Sequence, residues 1–295
     1  MKETLGFIGL GIMGKPMAKN LINAGYKLIV LDVNPGPVKE LVEMGAVAAS
    51  TPAGIAGSVS KIITMLPDGP EVEEVVLGAG GIIENAGLNT ALIDMSSISP
   101  TVTHKIAASL KEKEAQALDA PVSGGEPGAI KGELAIMVGG PETLFNEMKP
   151  VFDVLGKSAV LVGDTGAGQT TKLVNQILVG IHIEAMGEAF LLASKAGVDC
   201  MKVFQAIKGG LAGSNVLNAK VPLLLDRNFK PGFKIRLHQK DLKNALEASE
   251  TLGLDLKVTR IVQEMIGALV DRGNGDDDHG GIVQELEYRN KTEIM

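Results

Sequence analysis

The chain has 295 residues, of which 45% are hydrophobic and 21% charged, and its formal net charge is −7. This length suits about two domains, and this composition excludes a disordered chain. With no Trp, two Tyr, seven Phe and an acidic balance, the sequence predicts neither a base-stacking surface nor a basic groove for nucleic acid.

Cysteine content and hydropathy bear on the compartment. The single cysteine, Cys200, cannot form an internal disulfide, which predicts an intracellular, cytoplasmic protein. The apolar N-terminal stretch is interrupted by glycines and does not resemble a signal peptide. Because no run of about 18 uninterrupted apolar residues occurs, no membrane association is predicted.

The first half of the chain alternates short apolar runs with longer amphipathic segments. We predict strands at residues 5–8, 27–31, 61–66, 91–93, 117–119, 134–138 and 159–162. Helix-like stretches, such as residues 13–24 and 100–113, lie between several of these runs. Such alternation predicts an α/β, Rossmann-like domain with a largely parallel sheet over residues 1–163.

The second half of the chain lacks the short apolar runs that predict strands. One long helix is predicted over residues 165–196, and its roughly 32 residues would span ~48 Å. Further helices are predicted near residues 200–208, 215–226, 238–253, 257–272 and 279–290. We therefore expect an all-α C-terminal domain, residues 164–295, joined to the first domain by the long helix. Residues 273–278, with two glycines and three aspartates, are predicted to form a solvated loop.

A glycine-rich turn follows the first predicted strand directly and opens the first predicted helix. Its six residues, all predicted to bind a dinucleotide, are Gly9, Leu10, Gly11, Ile12, Met13 and Gly14. Gly9 would make the turn, Gly11 would let the backbone approach the pyrophosphate, and Gly14 would let the helix pack on the strand. The phosphates would then lie at the helix N-terminus. An ordinary glycine-rich turn is the alternative.

Asp32 ends the second predicted strand, 18 residues after Gly14. An acid at this place accepts hydrogen bonds from the ribose hydroxyls and repels a 2′-phosphate. No arginine follows in Val33-Asn34-Pro35. The sequence therefore favours NAD over NADP, and a surface acid at a strand end is the alternative.

A second motif, Asp119-Ala120-Pro121-Val122-Ser123-Gly124-Gly125, follows a later strand. Ser123, Gly124 and Gly125 offer consecutive backbone N–H groups that no large side chain obstructs. Such a nest binds an anion, for instance a substrate carboxylate. A plain turn is an equally good interpretation of these residues alone.

Two lysines in the second half are candidates for chemistry. Lys172 and Asn175 are three residues apart near the start of the long helix, so they share a face. A partly buried lysine is costly without a partner, and burial lowers a lysine pKa toward neutrality, which suits an acid or base. Lys240 precedes Asp241, which we place in the first turn of a later helix, and could reach an active-site cleft. A solvated lysine is the alternative at both positions.

Taken in order, these four motifs resemble those of the β-hydroxyacid dehydrogenase family, which includes 3-hydroxyisobutyrate dehydrogenase, over essentially the whole chain. The resemblance implies a nicotinamide-dependent enzyme that acts on a small carboxylate-bearing aldehyde or 3-hydroxyacid. It also implies a homodimer or homotetramer. A dinucleotide-binding reader or scaffold that has lost turnover is the alternative from another functional class.

The resemblance further assigns roles to residues. Lys172 matches the family's essential catalytic lysine, with Asn175 beside it, and Lys240 matches its cofactor-side lysine. In Asp94-Met95-Ser96-Ser97, the position of Ser97 contacts the cofactor, and Leu66 is also expected to bind it. The histidines show no metal-ligand spacing, so no metal site is predicted; they are His104, His182, His238 and His279.

Overall fold

The computed structural model describes residues 2–294, and the chain divides into two compact units, Met1–Lys172 and Leu173–Met295. The division falls inside the long helix. The sequence pattern predicts a domain boundary at residue 163, before that helix begins.

A nine-stranded, mostly parallel sheet forms the centre of the first unit. Its strands are β1 (Thr4–Ile8), β2 (Lys27–Leu31), β3 (Val47–Ala48), β4 (Lys61–Thr64), β5 (Ala91–Asp94), β6 (Gln116–Asp119), β7 (Val122–Ser123), β8 (Leu134–Gly139) and β9 (Gly156–Gly163). The strand order is β3-β2-β1-β4-β5-β6-β8-β7, and β9 pairs with β8. Only the pairs of β8 with β6 and with β7 are antiparallel. The predicted Rossmann-like α/β fold is confirmed; β3 and β7 were missed because two residues carry no periodicity.

Helices cover both faces of this sheet. They are α1 (Gly14–Asn23), α2 (Pro35–Glu43), α3 (Pro52–Ala56), α4 (Gly69–Leu77), α5 (Pro100–Glu112), α6 (Gly125–Lys131) and α7 (Glu142–Leu155). Neighbouring residues on β4 enter different cores, because side chains alternate along a strand: Ile62 packs in one hydrophobic cluster and Ile63 in the other. Two buried faces explain why the strands read as continuous apolar runs.

Three helix starts of the first unit follow directly from local sequence. The side chains of Asn34, Thr51 and Ser99 each accept a hydrogen bond from a backbone N–H of the helix that follows, and a proline comes next in every case. A polar N-cap satisfies an otherwise unpaired donor, and proline suits the first helical position because it has no N–H to satisfy.

The long helix α8 (Ala167–Lys195) runs through the boundary, and the second unit is otherwise helical. Its remaining α-helices are α9 (Cys200–Ile207), α10 (Asn215–Leu225), α11 (Ile235–Thr251), α12 (Lys257–Asp271) and α13 (Val283–Asn290). The predicted all-α second half is confirmed. α11 begins three residues earlier than predicted, so Asp241 lies in its second turn and not in its first.

The prediction of a solvated loop over residues 273–278 is wrong for its last residue, Asp278. Asp278 is buried, and its carboxylate accepts hydrogen bonds from the backbone N–H groups of Gly232, Phe233 and Gly280. Lys220 pairs with the same carboxylate at 2.6 Å. Burial is possible because four donors replace the water that an aspartate otherwise requires.

α8 combines length with low polarity. Within residues 2–294 it is the one helix long and apolar enough to match a membrane span, and 28% of its most apolar 18-residue window is buried. These two properties are weak evidence for a span, because core helices of soluble proteins share them. Val174, Leu178 and Leu192 contribute to the exposed part.

Candidate active site

The glycine turn between β1 and α1 has the geometry that the sequence predicted. Gly9 has a φ of +94°, which favours glycine. A Cβ on Gly14 would collide with the carbonyl oxygen of Gly9, so this glycine is needed for the close approach of helix and turn. A Cβ on Gly11 would meet nothing within 4 Å. The glycine at position 11 therefore leaves open space beside the backbone.

The N-terminus of α1 opens at this turn. Its N-cap residue, Met13, makes no side-chain capping bond, and the first helical turn contains no acid. The first N–H groups of a helix lack intrahelical partners and carry partial positive charge. The turn and the helix end together can hold the pyrophosphate of a dinucleotide.

Asp32 closes the turn from the end of β2. Its carboxylate accepts hydrogen bonds from the backbone N–H of Leu10 at 2.5 Å and of Asn34 at 2.7 Å. A carboxylate has about four acceptor positions, so two are left for ribose hydroxyls. The side chain of Val33 is fully exposed beside it.

The other predicted cofactor residues of the first unit lie at the same edge of the sheet. β1, β4 and β5 are parallel neighbours, and Thr64 aligns with both Ile8 and Asp94. Beyond these ends, the backbone N–H of Leu66 donates to Ser96 Oγ at 2.9 Å, and half-buried Ser97 follows. Ligands of such sheets bind at the carboxyl ends of the strands.

Asp119, at the end of β6, holds the beginning of α8, and sequence reasoning missed this role. Its two carboxylate oxygens accept hydrogen bonds from the N–H groups of Gly166 at 2.7 Å and Gln169 at 2.8 Å. Burial raises the pKa of Asp119, and these hydrogen bonds oppose the rise. The only sequence signal was an acid at a strand end, since its partners lie 47 and 50 residues away.

Gln169 extends this connection to the end of β5. Its fully buried side chain donates to the carbonyl oxygen of Ser96 at 2.8 Å and accepts from the N–H of Ile98 at 3.1 Å. These two hydrogen bonds hold the first turn of α8 to the backbone on either side of Ser97, at Ser96 and at Ile98. Asp94, aligned with Asp119 across the two strands, is also buried, and burial raises its pKa to about 6.

The fold places the side chain of Lys172 next to the second sequence motif, residues 119–125. Its ammonium is buried and donates to the carbonyl oxygen of Val122 at 2.8 Å, next to Ser123. Gly124 and Gly125 have φ values of +141° and +61°, and α6 begins there without a side-chain cap. A buried cation therefore lies beside backbone donors suited to an anion. The alternative of a solvated lysine is wrong for this residue.

The candidate residues of the second unit share one polar network. Asn175 Nδ2 donates to Gln176 Oε1 at 2.9 Å, and Gln176 Nε2 donates to Asp241 Oδ2 at 2.5 Å. Lys240 Nζ lies 3.3 Å from Asp241 Oδ1, and its side chain is 17% exposed. Lys240 is thus not a solvated lysine, and Asn175 and Lys240 are connected through two residues that sequence reasoning had not assigned.

A Rossmann-like fold with this turn and helix end is typical of a dinucleotide-binding protein, and comparisons with known proteins show that the chain is an NAD(P)-binding oxidoreductase. Residues 4–163 match the family model described as the NAD-binding domain of 6-phosphogluconate dehydrogenase. Residues 166–286 match the model described as NAD-binding of NADP-dependent 3-hydroxyisobutyrate dehydrogenase.

Individual relatives match over nearly the full chain. The 2-hydroxy-3-oxopropionate reductase of Escherichia coli is 47% identical over 96% of this chain and 97% of its own length. The mitochondrial 3-hydroxyisobutyrate dehydrogenase of Rattus norvegicus is 35% identical over 97% and 87%. The solved 3-hydroxyisobutyrate dehydrogenase of Mycobacterium tuberculosis, with L-serine, has a TM-score of 0.88 at 30% identity, covering 97% and 99%. The chain belongs to the β-hydroxyacid dehydrogenase family.

Proposed function

We propose that this protein reduces tartronate semialdehyde (2-hydroxy-3-oxopropionate) to D-glycerate with NAD(P)H, reversibly and with NADH preferred over NADPH, and that Lys172 is the general acid and base. The observation that carries the proposal is the buried Lys172 ammonium on the Val122 carbonyl, adjacent to Ser123. It combines a proton donor with an anion-binding segment, which are the two groups that a carboxylate-bearing aldehyde requires.

In this mechanism, the backbone N–H groups of Ser123, Gly124 and Gly125 bind the substrate carboxylate. The nicotinamide, when bound, supplies the hydride. Lys172 donates a proton to the aldehyde oxygen as negative charge develops on it, and takes that proton back during oxidation. Asn175 orients the oxygen or the lysine.

The cofactor would be held by residues whose geometry fits it. Open space at Gly11 and the uncapped start of α1 suit the pyrophosphate. Asp32, with no arginine after it, favours the unphosphorylated ribose of NAD. Leu66 and Ser97, at the ends of β4 and β5, and Lys240 would contact the remainder of the dinucleotide.

The choice of substrate rests on resemblance within the family. Residues 209–214 and 225–233 resemble the corresponding segments of tartronate semialdehyde reductases, and the Escherichia coli relative carries that activity in its name. The alternative is a 3-hydroxyisobutyrate dehydrogenase, as the rat relative is named, or a broader reductase of succinic semialdehyde and glyoxylate. Arg236, which differs from the reductase pattern, pairs with Asp276 at 2.7 Å.

The protein would act as a homodimer or homotetramer in the cytoplasm. Val174 and Leu178, two exposed apolar side chains one turn apart on α8, support subunit contacts. Light scattering of the purified chain tests the oligomer directly; a monomer at micromolar concentration would contradict it.

The decisive experiment is a panel of C3 and C4 semialdehydes and hydroxyacids, each measured with NADH and NADPH. Lys172→Ala should still bind NADH but lose at least about 10³-fold in kcat. Lys113→Ala, which removes an exposed lysine, serves as the control and should keep wild-type kinetics.

Three outcomes would contradict parts of the proposal. A folded Lys172→Ala protein with most of its activity would reject the general acid. A higher kcat/KM for 3-hydroxyisobutyrate than for D-glycerate would reject the substrate. NADH binding without turnover of any panel member would favour a non-catalytic dinucleotide reader.

A further inference from the structure

Two segments of the first unit meet at the start of α8 and are hydrogen-bonded to each other at two points. Asp119, which is 2% exposed, accepts hydrogen bonds from the N–H groups of Gly166 and Gln169. Three residues further along each segment, the carbonyl oxygen of Val122 accepts the hydrogen bond of Lys172 at 2.8 Å. The acid that holds the helix start and the carbonyl that holds the lysine therefore belong to one short stretch of chain, the second sequence motif.

The carboxylate of Asp119 takes the place of a helix cap. α8 begins at Ala167, and the preceding residue, Gly166, has no side chain that could accept hydrogen bonds from the first N–H groups. Such groups lack intrahelical partners, and their partial positive charge favours an anion. A Cβ on Gly168 would lie 2.8 Å from Asp119 Oδ2, and one on Gly139 would lie 2.6 Å from Oδ1. Glycine at these two positions lets the backbone enclose the carboxylate.

The position of Lys172 depends on this helix start. Gln169 and Lys172 are three residues apart in one continuous helix, so they are neighbours on the same face. Because the helical backbone between them is stiff, a shift of the first turn also moves the lysine side chain. The side chain of Gln169 separately bonds to the backbone at Ser96 and Ile98. Loss of the Asp119 carboxylate would therefore shift this turn without unfolding it.

We propose that Asp119 is a positioning residue: its carboxylate fixes the first turn of α8 so that the ammonium of Lys172 lies at the Val122 carbonyl, beside the anion-binding segment. The proposal rests on the function proposed above, in which Lys172 is the general acid, and it deepens it. Proton transfer requires a donor within hydrogen-bond distance of the reacting oxygen, and a misplacement of about 1 Å can cost ~100-fold in rate. Asp119 acts on the chemical step through the helix and not through a contact with the substrate.

Asp119→Asn tests the proposal, because it keeps the shape of the side chain. An amide has one oxygen and one NH₂ group, so it accepts from one of the two N–H groups and presents a donor to the other. We expect the single-turnover rate of reduction to fall about 10- to 100-fold, while KM and the Kd for NADH change less than about threefold. Asp199→Asn is the control: Asp199 caps α9 by accepting from the N–H of Lys202 at 3.0 Å, and asparagine caps equally well, so the rate should be unchanged.

A double-mutant cycle with Lys172→Ala separates positioning from a general loss of structure. If Asp119 acts through the lysine, Asp119→Asn should slow the already impaired Lys172→Ala protein by less than about threefold. A purely structural role would lower both rates by the same factor. Far-UV circular dichroism and Tm show whether each variant is folded. Asp119→Ser, a smaller side chain with one acceptor oxygen, replaces Asp119→Asn in the cycle if the amide prevents folding.

A labelling experiment reports the position of Lys172 without any substrate. Trinitrobenzenesulfonate modifies lysine amines, and peptide mass spectrometry gives the rate at Lys172, with exposed Lys113 as the internal reference. We expect Lys172 to react at least about threefold faster in Asp119→Asn than in the wild type, because its buried ammonium loses the hydrogen bond to the Val122 carbonyl.

Equal losses of rate in the two backgrounds of the cycle, or unchanged labelling of Lys172, would overturn the proposal. If the wild type reduces no semialdehyde, or if Lys172→Ala keeps its activity, the proposed function fails instead. The labelling rate alone then decides whether Asp119 positions the lysine.

Discussion

Replacing Asp94 by Asn should stabilise the protein, and the gain should grow with pH. Asp94 Oδ1 accepts hydrogen bonds from Thr64 Oγ1 at 2.8 Å and from the N–H of Ser96 at 3.1 Å. Oδ2 is buried and has no hydrogen-bond partner among residues 2–294, and the same is true of Thr103 Oγ1. Both residues line one cavity of about 10 Å³. Asparagine keeps the bonded oxygen and places an uncharged donor where the unpaired oxygen lies.

The magnitude follows from the pKa of Asp94. Burial is the main cause that raises this pKa from 3.8 to about 6, and the charge of Asp119 adds to it. Because the folded pKa exceeds the unfolded one, the folded chain binds more protons between these values, and stability from this group is lost as pH rises through them. With ~1.4 kcal/mol for each tenfold change in proton affinity, the cost is ~1.6 kcal/mol near pH 5 and ~3 kcal/mol near pH 8.

Urea unfolding of the wild type and Asp94→Asn at pH 5 and pH 8 measures this cost. The variant's advantage in the free energy of unfolding should be larger at pH 8 by ~1.4 kcal/mol. Asp153→Asn is the control: Asp153 is 58% exposed and pairs with Lys149 on the surface, so it should show no such gain. A variant that gains the same at both pH values, or is less stable at pH 8, would refute the reasoning.

Three further predictions concern the cofactor and the substrate. Gly11→Ala should keep the wild-type Tm but weaken NADH binding about 10-fold or more in a fluorescence titration. Gly14→Ala should instead lower Tm, because its Cβ would collide with the backbone. Equal Tm values for the two variants would contradict this prediction. Asp32→Ser with Val33→Arg should shift the kcat/KM ratio toward NADPH, unless the wild type already prefers NADPH, in which case Asp32 is not the determinant. Gly124→Val should raise KM for the semialdehyde about 10-fold or more with nearly unchanged NADH affinity, because its side chain obstructs the backbone N–H groups that bind the carboxylate. A defect confined to NADH binding would count against the anion-binding role.

Local sequence was sufficient for most of the first unit's architecture. A strand buried on both faces must be apolar at successive residues, so β1, β2 and β5 were visible as runs. The turn from Gly9 to Gly14 was predicted in detail, because a positive φ and a close approach each exclude other residue types within a few positions. The long helix was also predicted correctly, because an apolar segment of 29 residues is far longer than any strand.

The tertiary structure alone decided how the candidate residues are supported. Asp119 holds α8 only because β6 ends beside the start of that helix, and Asp241 reaches Gln176 across 65 positions of the chain. The same reason explains the burial of Asp278. Its acidic sequence neighbours predict a solvent-exposed loop, but its carboxylate is buried and accepts hydrogen bonds from the backbone N–H groups of residues 232 and 233. Periodicity and composition report the environment of a residue averaged over its near neighbours. Hydrogen-bond partners distant in the chain are set by which elements pack together, and for that reason the sequence pattern does not contain them.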